Sequence, residues 1–244
     1  MKWFESWFDT EFYHLLYNNR NFTEAEEFIG RITNRLQLQA GDRVADICCG
    51  KGRHSQSMAQ LGFEVWGMDL SKNSIEFARS LGVVGAEFEV HDIREPFNHN
   101  NFSAVFNLFT SFGYFETKEE DERALQNMAN AVLPNGYVVQ DYLNAKSVIS
   151  NMPQEYTEER GDIHFEIEKL VEGKKILKRI NVKQAGSSAL LGEFQEEVQI
   201  YTAEELFALH SQAGLEVVEV LGDYHLNAYE SKSSPRIIVV SKKN

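Results

Sequence analysis

Val44-Ala-Asp-Ile-Cys-Cys-Gly-Lys-Gly-Arg-His-Ser55 is the stretch that decides how this chain is read. A short apolar run passes the acid Asp46 and breaks into a turn carrying Gly50 and Gly52. Helical character follows from Arg53 to Leu61, then a second apolar run from Glu64 to Met68, closed by Asp69. Strand, glycine turn, helix, strand and acid is the layout of a nucleoside site on an α/β sheet. The glycines let the backbone come close to a ligand, and an acid at the next strand end can accept both ribose hydroxyls. Ser55 stands where a dinucleotide fingerprint carries its third glycine, and Asp69 lies nineteen residues after Gly50.

Composition narrows the function classes. The 244 residues, 43% of them hydrophobic, suffice for one domain with an insertion. No apolar run approaches the roughly eighteen residues of a membrane span. The first residues are aromatic and acidic, unlike a secretory signal. Cys48 and Cys49 are the only cysteines, which suits a reducing cytoplasm and supports neither a disulfide framework nor a zinc cluster. A net charge of −13 argues against a nucleic-acid backbone as ligand. The basic run Lys174 to Arg179 follows Glu166, Glu168 and Glu172, so it reads as cross-strand pairing. A small-molecule or peptide substrate is expected, with no membrane partner, on a monomer or homodimer.

The rest of the chain divides by periodicity. Trp3, Trp7, Phe8, Phe12, Leu15 and Leu16 predict an amphipathic helix, and Thr23-Glu-Ala-Glu26 predicts the capped start of a second. These first forty residues either pack on the sheet or cover the ligand cleft. Ala86 to Val90 and Phe102 to Phe109 are further strands, the former running into His91-Asp92-Ile93. Thr117 caps a helix to about Val132, Pro134-Asn-Gly136 is a turn, and Tyr137 to Asp141 is a fifth strand. From about 155 to 201 apolar and polar residues alternate, which predicts an inserted antiparallel sheet of three strands. Thr202 caps another helix, and Leu215–Leu221 and Arg236–Val240 close the chain as an antiparallel hairpin. The long loop between them, rich in polar aromatics, leans functional.

Asp46-Ile-Cys-Cys-Gly-Lys-Gly resembles motif I of the class I S-adenosylmethionine-dependent methyltransferases, D-x-G-C-G-x-G, with Cys48 at the usual first glycine. Tyr13-His-Leu-Leu-Tyr17 resembles the Y-D-x-x-Y segment of small-molecule members, and Asn107-Leu-Phe-Thr-Ser-Phe-Gly-Tyr114 resembles motif IV of those acting on small amines and alcohols. The resemblance implies a single α/β domain over 1–244: a Rossmann-like, seven-stranded, doubly wound sheet with a terminal antiparallel hairpin and an antiparallel β insertion over 155–201, which in related members covers the substrate pocket and could equally form a dimer surface. It implies S-adenosyl-L-methionine as cofactor and transfer of its methyl group to nitrogen or oxygen of a small molecule. Asp46, Cys48, Gly50 and Gly52 would surround the methionyl part, with Tyr13, Tyr17 and Arg20 approaching the same end. Asp69 and Leu70 would meet the ribose, Asp92 and Ile93 the adenine, and Asn107 and Leu108 would complete the cofactor site. Tyr114, Tyr142 and His225 are the candidate bases or positioning groups. Because cysteine lacks glycine's freedom at positive φ, the turn at Cys48 is expected to differ slightly. A nicotinamide-dependent oxidoreductase and a non-catalytic cofactor-binding regulator are the competing classes.

Overall fold

The computed structural model describes residues 2–17, 22–187 and 189–244. The chain runs through α1 (Trp3–Trp7), α2 (Glu11–Leu16), α3 (Phe22–Arg35), β1 (Arg43–Ile47), α4 (Arg53–Gln60), β2 (Glu64–Asp69), α5 (Lys72–Ser80), β3 (Ala86–Val90), β4 (Phe102–Asn107), α6 (Lys118–Ala131) and β5 (Val132–Leu143). It continues through α7 (Ala145–Asn151), β6 (Glu155–Arg160), β7 (Ile163–Glu172), β8 (Lys175–Gln184), β9 (Leu190–Gln199), α8 (Ala203–Gln212), β10 (Leu215–Leu221) and β11 (Arg236–Lys243).

Seven strands form one sheet in the order β10-β11-β5-β4-β1-β2-β3. The pairings from β3 through β5 are parallel, and β11 runs antiparallel to both β5 and β10. Val44 to Ile47 of β1 are all buried, as expected for a parallel strand covered on both faces. On one face Ala45 and Ile47 join Leu125 and Met128 of α6 and Leu206 and Leu209 of α8. On the other, Val44 and Val65 join Ile29 and Ile32 of α3 and Met58 of α4. Strand order reverses between β1 and β4, so a crevice opens beyond their carboxyl ends. That crevice is the natural place for a ligand.

Helix starts follow the capping residues. The hydroxyls of Ser71, Thr117 and Thr202 accept from Ser74 N, Glu120 N and Glu205 N, and the last two form reciprocal capping boxes. The aromatic N-terminal stretch is two helices rather than one. Thr10 takes an extended conformation and its hydroxyl accepts from Tyr13 N, which ends the first helix and starts the second. The predicted cap at Thr23 falls inside α3, which already includes Phe22. Leu133 to Gly136 bulge out of β5, where the register against β4 shifts from Phe102↔Val132 to Ala104↔Tyr137.

The insertion has four strands, in the order β6-β7-β8-β9, and not three. Its first strand, Glu-Tyr-Thr-Glu-Glu-Arg, lacks an apolar alternation and is legible only from its pairing with β7. Phe165, Ile167, Ile180 and Val182 form its buried face and pack with Trp7 of α1 and Leu16 of α2. The basic run and its neighbours do pair across strands: Arg179 with Glu168 at 3.2 Å, Lys183 with Glu166 at 2.6 Å and Lys175 with Glu197 at 2.7 Å. No helix among the described residues is long and apolar enough to cross a membrane.

Candidate functional site

The crevice contains a cavity of about 660 Å³, within the range of small-molecule sites. One side is built by the turn after β1. Cys48 adopts φ 59° and Gly50 φ 55°, so the cysteine takes the left-handed turn that a glycine would take. The cysteine bears the conformational cost of that region, about 1 kcal/mol. Gly52, at φ 79°, caps α4, and a Cβ there would sit 2.9 Å from the Phe88 ring.

Asp69 ends β2 facing this turn. Its Oδ2 accepts from Gly50 N at 2.8 Å and its Oδ1 from Ser71 N at 2.8 Å. Burial raises its pKa, and these backbone donors oppose that rise. Each oxygen keeps further acceptor capacity, which a vicinal diol can use. Behind the turn, Asp46 is buried and accepts from Ser55 Oγ at 2.6 Å, joining β1 to α4. Burial pushes its pKa up to about 7. Asp92 also lines the cavity, gripped by Arg94 at 2.5 Å; Arg94 reaches Glu120 at 2.7 Å, which also holds Lys2 at 2.9 Å. Burial alone would raise the pKa of Asp92, yet the Arg94 hydrogen bonds hold it below the usual carboxylate range.

The N-terminal residues form the facing wall. Phe8, Tyr13 and Tyr17 line the cavity, their rings stacked edge to face or tilted at 4.9 Å and 5.0 Å, and Phe8 meets Tyr114 at 5.4 Å. Asp9 ties this wall to the loop between β2 and α5, accepting from Ser71 Oγ at 2.6 Å and Asn73 N at 3.1 Å. Trp7 Nε1 and Tyr17 Oη both donate to Glu196 of β9 at 2.8 Å, so the same wall is tied to the insertion. α3, in contrast, packs on α4 and the sheet.

Of the residues singled out from the sequence, Tyr13, Tyr17, Cys48, Gly50, Asp69, Leu70, Asp92, Ile93 and Tyr114 line the cavity. Asp46 and Gly52 sit just behind it as supports. Asn107 and Leu108 do not reach it: the Asn107 amide donates to Ile47 O and Ser111 O, and Leu108 is buried beneath the sheet among Phe28 and Val139. Tyr142 is fully buried and donates to the carbonyl of Gln199 instead of reaching the cavity, a correction to its proposed role. His225 is likewise corrected: it is exposed on the loop before β11, in an Asp223-centred turn. Arg20 lies outside the described residues.

Phe109, Ser111 and Phe112, at the carboxyl end of β4 where open α/β sheets carry chemistry, line the cavity as well. Sequence reasoning missed Arg53 and His54, which line it directly after the glycine turn and could have been found by the same rule applied to β1. Among the described residues no cluster of acids, histidines or cysteines is arranged to hold a metal.

A methyltransferase-domain family model matches residues 18–220, and the chain belongs to that family. A dTDP-3-amino-3,4,6-trideoxy-α-D-glucopyranose N,N-dimethyltransferase of Streptomyces venezuelae is 30% identical over 105 residues, 43% of this chain and 44% of that relative. The chain therefore spans less than half the length of that curated relative. The CcbJ methyltransferase of Streptomyces caelestis has a similar structure, with a TM-score of 0.81 at 16% identity over 98% of each chain. An S-adenosylmethionine-dependent methyltransferase of Clostridium acetobutylicum ATCC 824 gives a TM-score of 0.80 at 17% identity over 95% of each. These likenesses fix the fold as that of the class I methyltransferases.

Proposed function

We propose that this chain transfers the methyl group of S-adenosyl-L-methionine to a nitrogen or oxygen of a small molecule. The observation that carries the proposal is Asp69, a half-buried carboxylate fixed by Gly50 N and Ser71 N beside a left-handed glycine turn, inside a cavity of about 660 Å³. The residues fit the cofactor. Asp69 would accept the ribose hydroxyls, the turn at Cys48–Gly50 would admit the methionyl backbone, and Ile93 with Asp92 would flank the base. The amino-sugar N-methylation named for the Streptomyces venezuelae relative supports an amine among the acceptors. A cytoplasmic location belongs to the same proposal, since Cys48 and Cys49 are the only cysteines of the chain and supply no disulfide framework.

When bound, the cofactor supplies an activated methyl group on a sulfonium that departs as a neutral thioether. The chain's own work is then alignment and exclusion of water. Phe8, Phe112, Tyr114 and Phe115 present apolar faces to the cavity, while Ser111, Tyr114 and His54 offer polar atoms to orient an acceptor. A neutral amine attacks without a strong base, so positioning carries most of the catalysis. S-adenosylhomocysteine should raise the unfolding temperature, and labelled cofactor should pass tritium to members of a small amine and alcohol panel. Absence of both effects overturns the proposal.

A further inference from the structure

Phe109 and Thr110 follow β4 with φ values of 61° and 60°, and neither is a glycine. Side chains avoid this left-handed region, β-branched ones above all, so two in succession need an external hold. Three hydrogen bonds supply it. Phe109 N donates to Asp141 Oδ2 at 2.8 Å, Thr110 N to Asp141 O at 3.0 Å, and Arg236 Nη2 to Thr110 Oγ1 at 2.7 Å. Asp141, at the end of β5, is itself fixed by Arg236 Nε at 2.7 Å and Tyr224 Oη at 2.8 Å. The Asp141 side chain is 1% exposed and that of Arg236 19%, so water competes little for these bonds.

The held corner faces the cavity: Phe109, Ser111 and Phe112 all line it. Its far end is tied too, with Gly113 N donating to Asp121 Oδ1 at 3.2 Å and Gln199 N donating to Gly113 O at 2.7 Å. We propose that Asp141, Arg236 and Tyr224 form a positioning clamp that keeps the Phe109–Thr110 corner left-handed and so presets the acceptor-facing wall of the cavity. None of the three lines the cavity, so each acts through the corner. The part played by the wall rests on the methyltransferase reading; the clamp itself rests on geometry.

The test measures amide hydrogen exchange at Phe109 and Thr110 in the full chain, alongside titration with S-adenosylhomocysteine. Arg236→Lys keeps the charge but loses the fork, and Tyr224→Phe removes a single bond in case the first variant folds poorly. Corner protection should fall about tenfold in Arg236→Lys, the scale of one lost charge-assisted bond, while β1 keeps its protection and S-adenosylhomocysteine its affinity. Adding Thr110→Gly, which removes the left-handed penalty, should restore most of the lost protection. The clamp is refuted if corner protection is unchanged in both variants, if it drops only together with the whole sheet, or if the glycine gives no rescue. Should the wild type fail to bind S-adenosylhomocysteine, the methyltransferase reading falls while the exchange data still decide the clamp.

Discussion

Two turns at the carboxyl ends of adjacent strands, Cys48–Gly52 after β1 and Phe109–Gly113 after β4, solve the same problem with different materials. Both place non-glycine residues at left-handed φ: Cys48 at 59°, Phe109 at 61° and Thr110 at 60°. Both donate backbone N–H groups to a carboxylate, half-buried Asp69 in one and fully buried Asp141 in the other. Behind each stands a second buried acid pushed up to about 7 by burial, Asp46 held by Ser55 and Asp121 held by Tyr201. The difference is where the partners come from. The first turn finds its carboxylate, hydroxyl and helix within residues 46–71, whereas the second draws on residues 121, 141, 199, 224 and 236. The first is a local motif, and the second is assembled by the fold.

Breaking the local turn should show most at the ligand. Asp69→Ala removes the acceptor of Gly50 N and of the proposed ribose hydroxyls, and S-adenosylhomocysteine affinity should weaken by about a hundredfold or more in calorimetric titration. Micromolar binding in that variant would show that the ribose assignment is wrong.

The assembled turn should respond to pH. Asp121 has its pKa raised from 3.8 to about 7, because burial outweighs the Tyr201 and Gly113 donors. Between these values the unfolded chain has released the proton and the folded chain still holds it, so the contribution of this group to stability falls as pH rises. Relative to wild type, Asp121→Asn should therefore gain about 2–3 kcal/mol between about pH 5 and pH 8, read from denaturant unfolding at both values. A difference that does not vary with pH would place Asp121 at an ordinary carboxylate pKa.

Substitutions in the glycine turn separate close approach from backbone conformation. Gly52→Ala meets both costs, a left-handed φ and the Phe88 ring at 2.9 Å, and should destabilise the fold by about 2 kcal/mol in thermal or denaturant unfolding. Cys48→Gly relieves the φ cost but frees the unfolded chain, so a net gain under about 1 kcal/mol is expected. A clear loss on Cys48→Gly would mean that the packing of its side chain, and not the turn, fixes the residue.

This contrast also explains what the sequence could tell. The alternation of strands and helices, the closing hairpin, the caps at Ser71, Thr117 and Thr202, and the cavity residues from Cys48 to Ile93 all follow from short-range patterns. Tyr142 and His225 were candidates because an aromatic hydroxyl and an imidazole near strand ends often carry chemistry; one is fully buried against Gln199 O and the other is exposed. The residues that hold the acceptor side, Asp141 and Arg236, lie 95 positions apart and meet only because β11 pairs with β5. No periodicity encodes that meeting. The strand β6 escaped notice for a similar reason, since its charged residues are organised by β7 and not by an apolar face of their own.

The place of β11 between β5 and β10 has a consequence for biogenesis. Ribosomes deliver β1, its glycine turn, Asp69 and Ile93 well before β11, so the part of the cavity that they build can gather while synthesis continues. Thr110 waits for Arg236, 126 residues later, before its hydroxyl has a partner. Closing so long a loop is slow, and the wall around Thr110 accordingly acquires its shape after the Cys48–Gly52 turn.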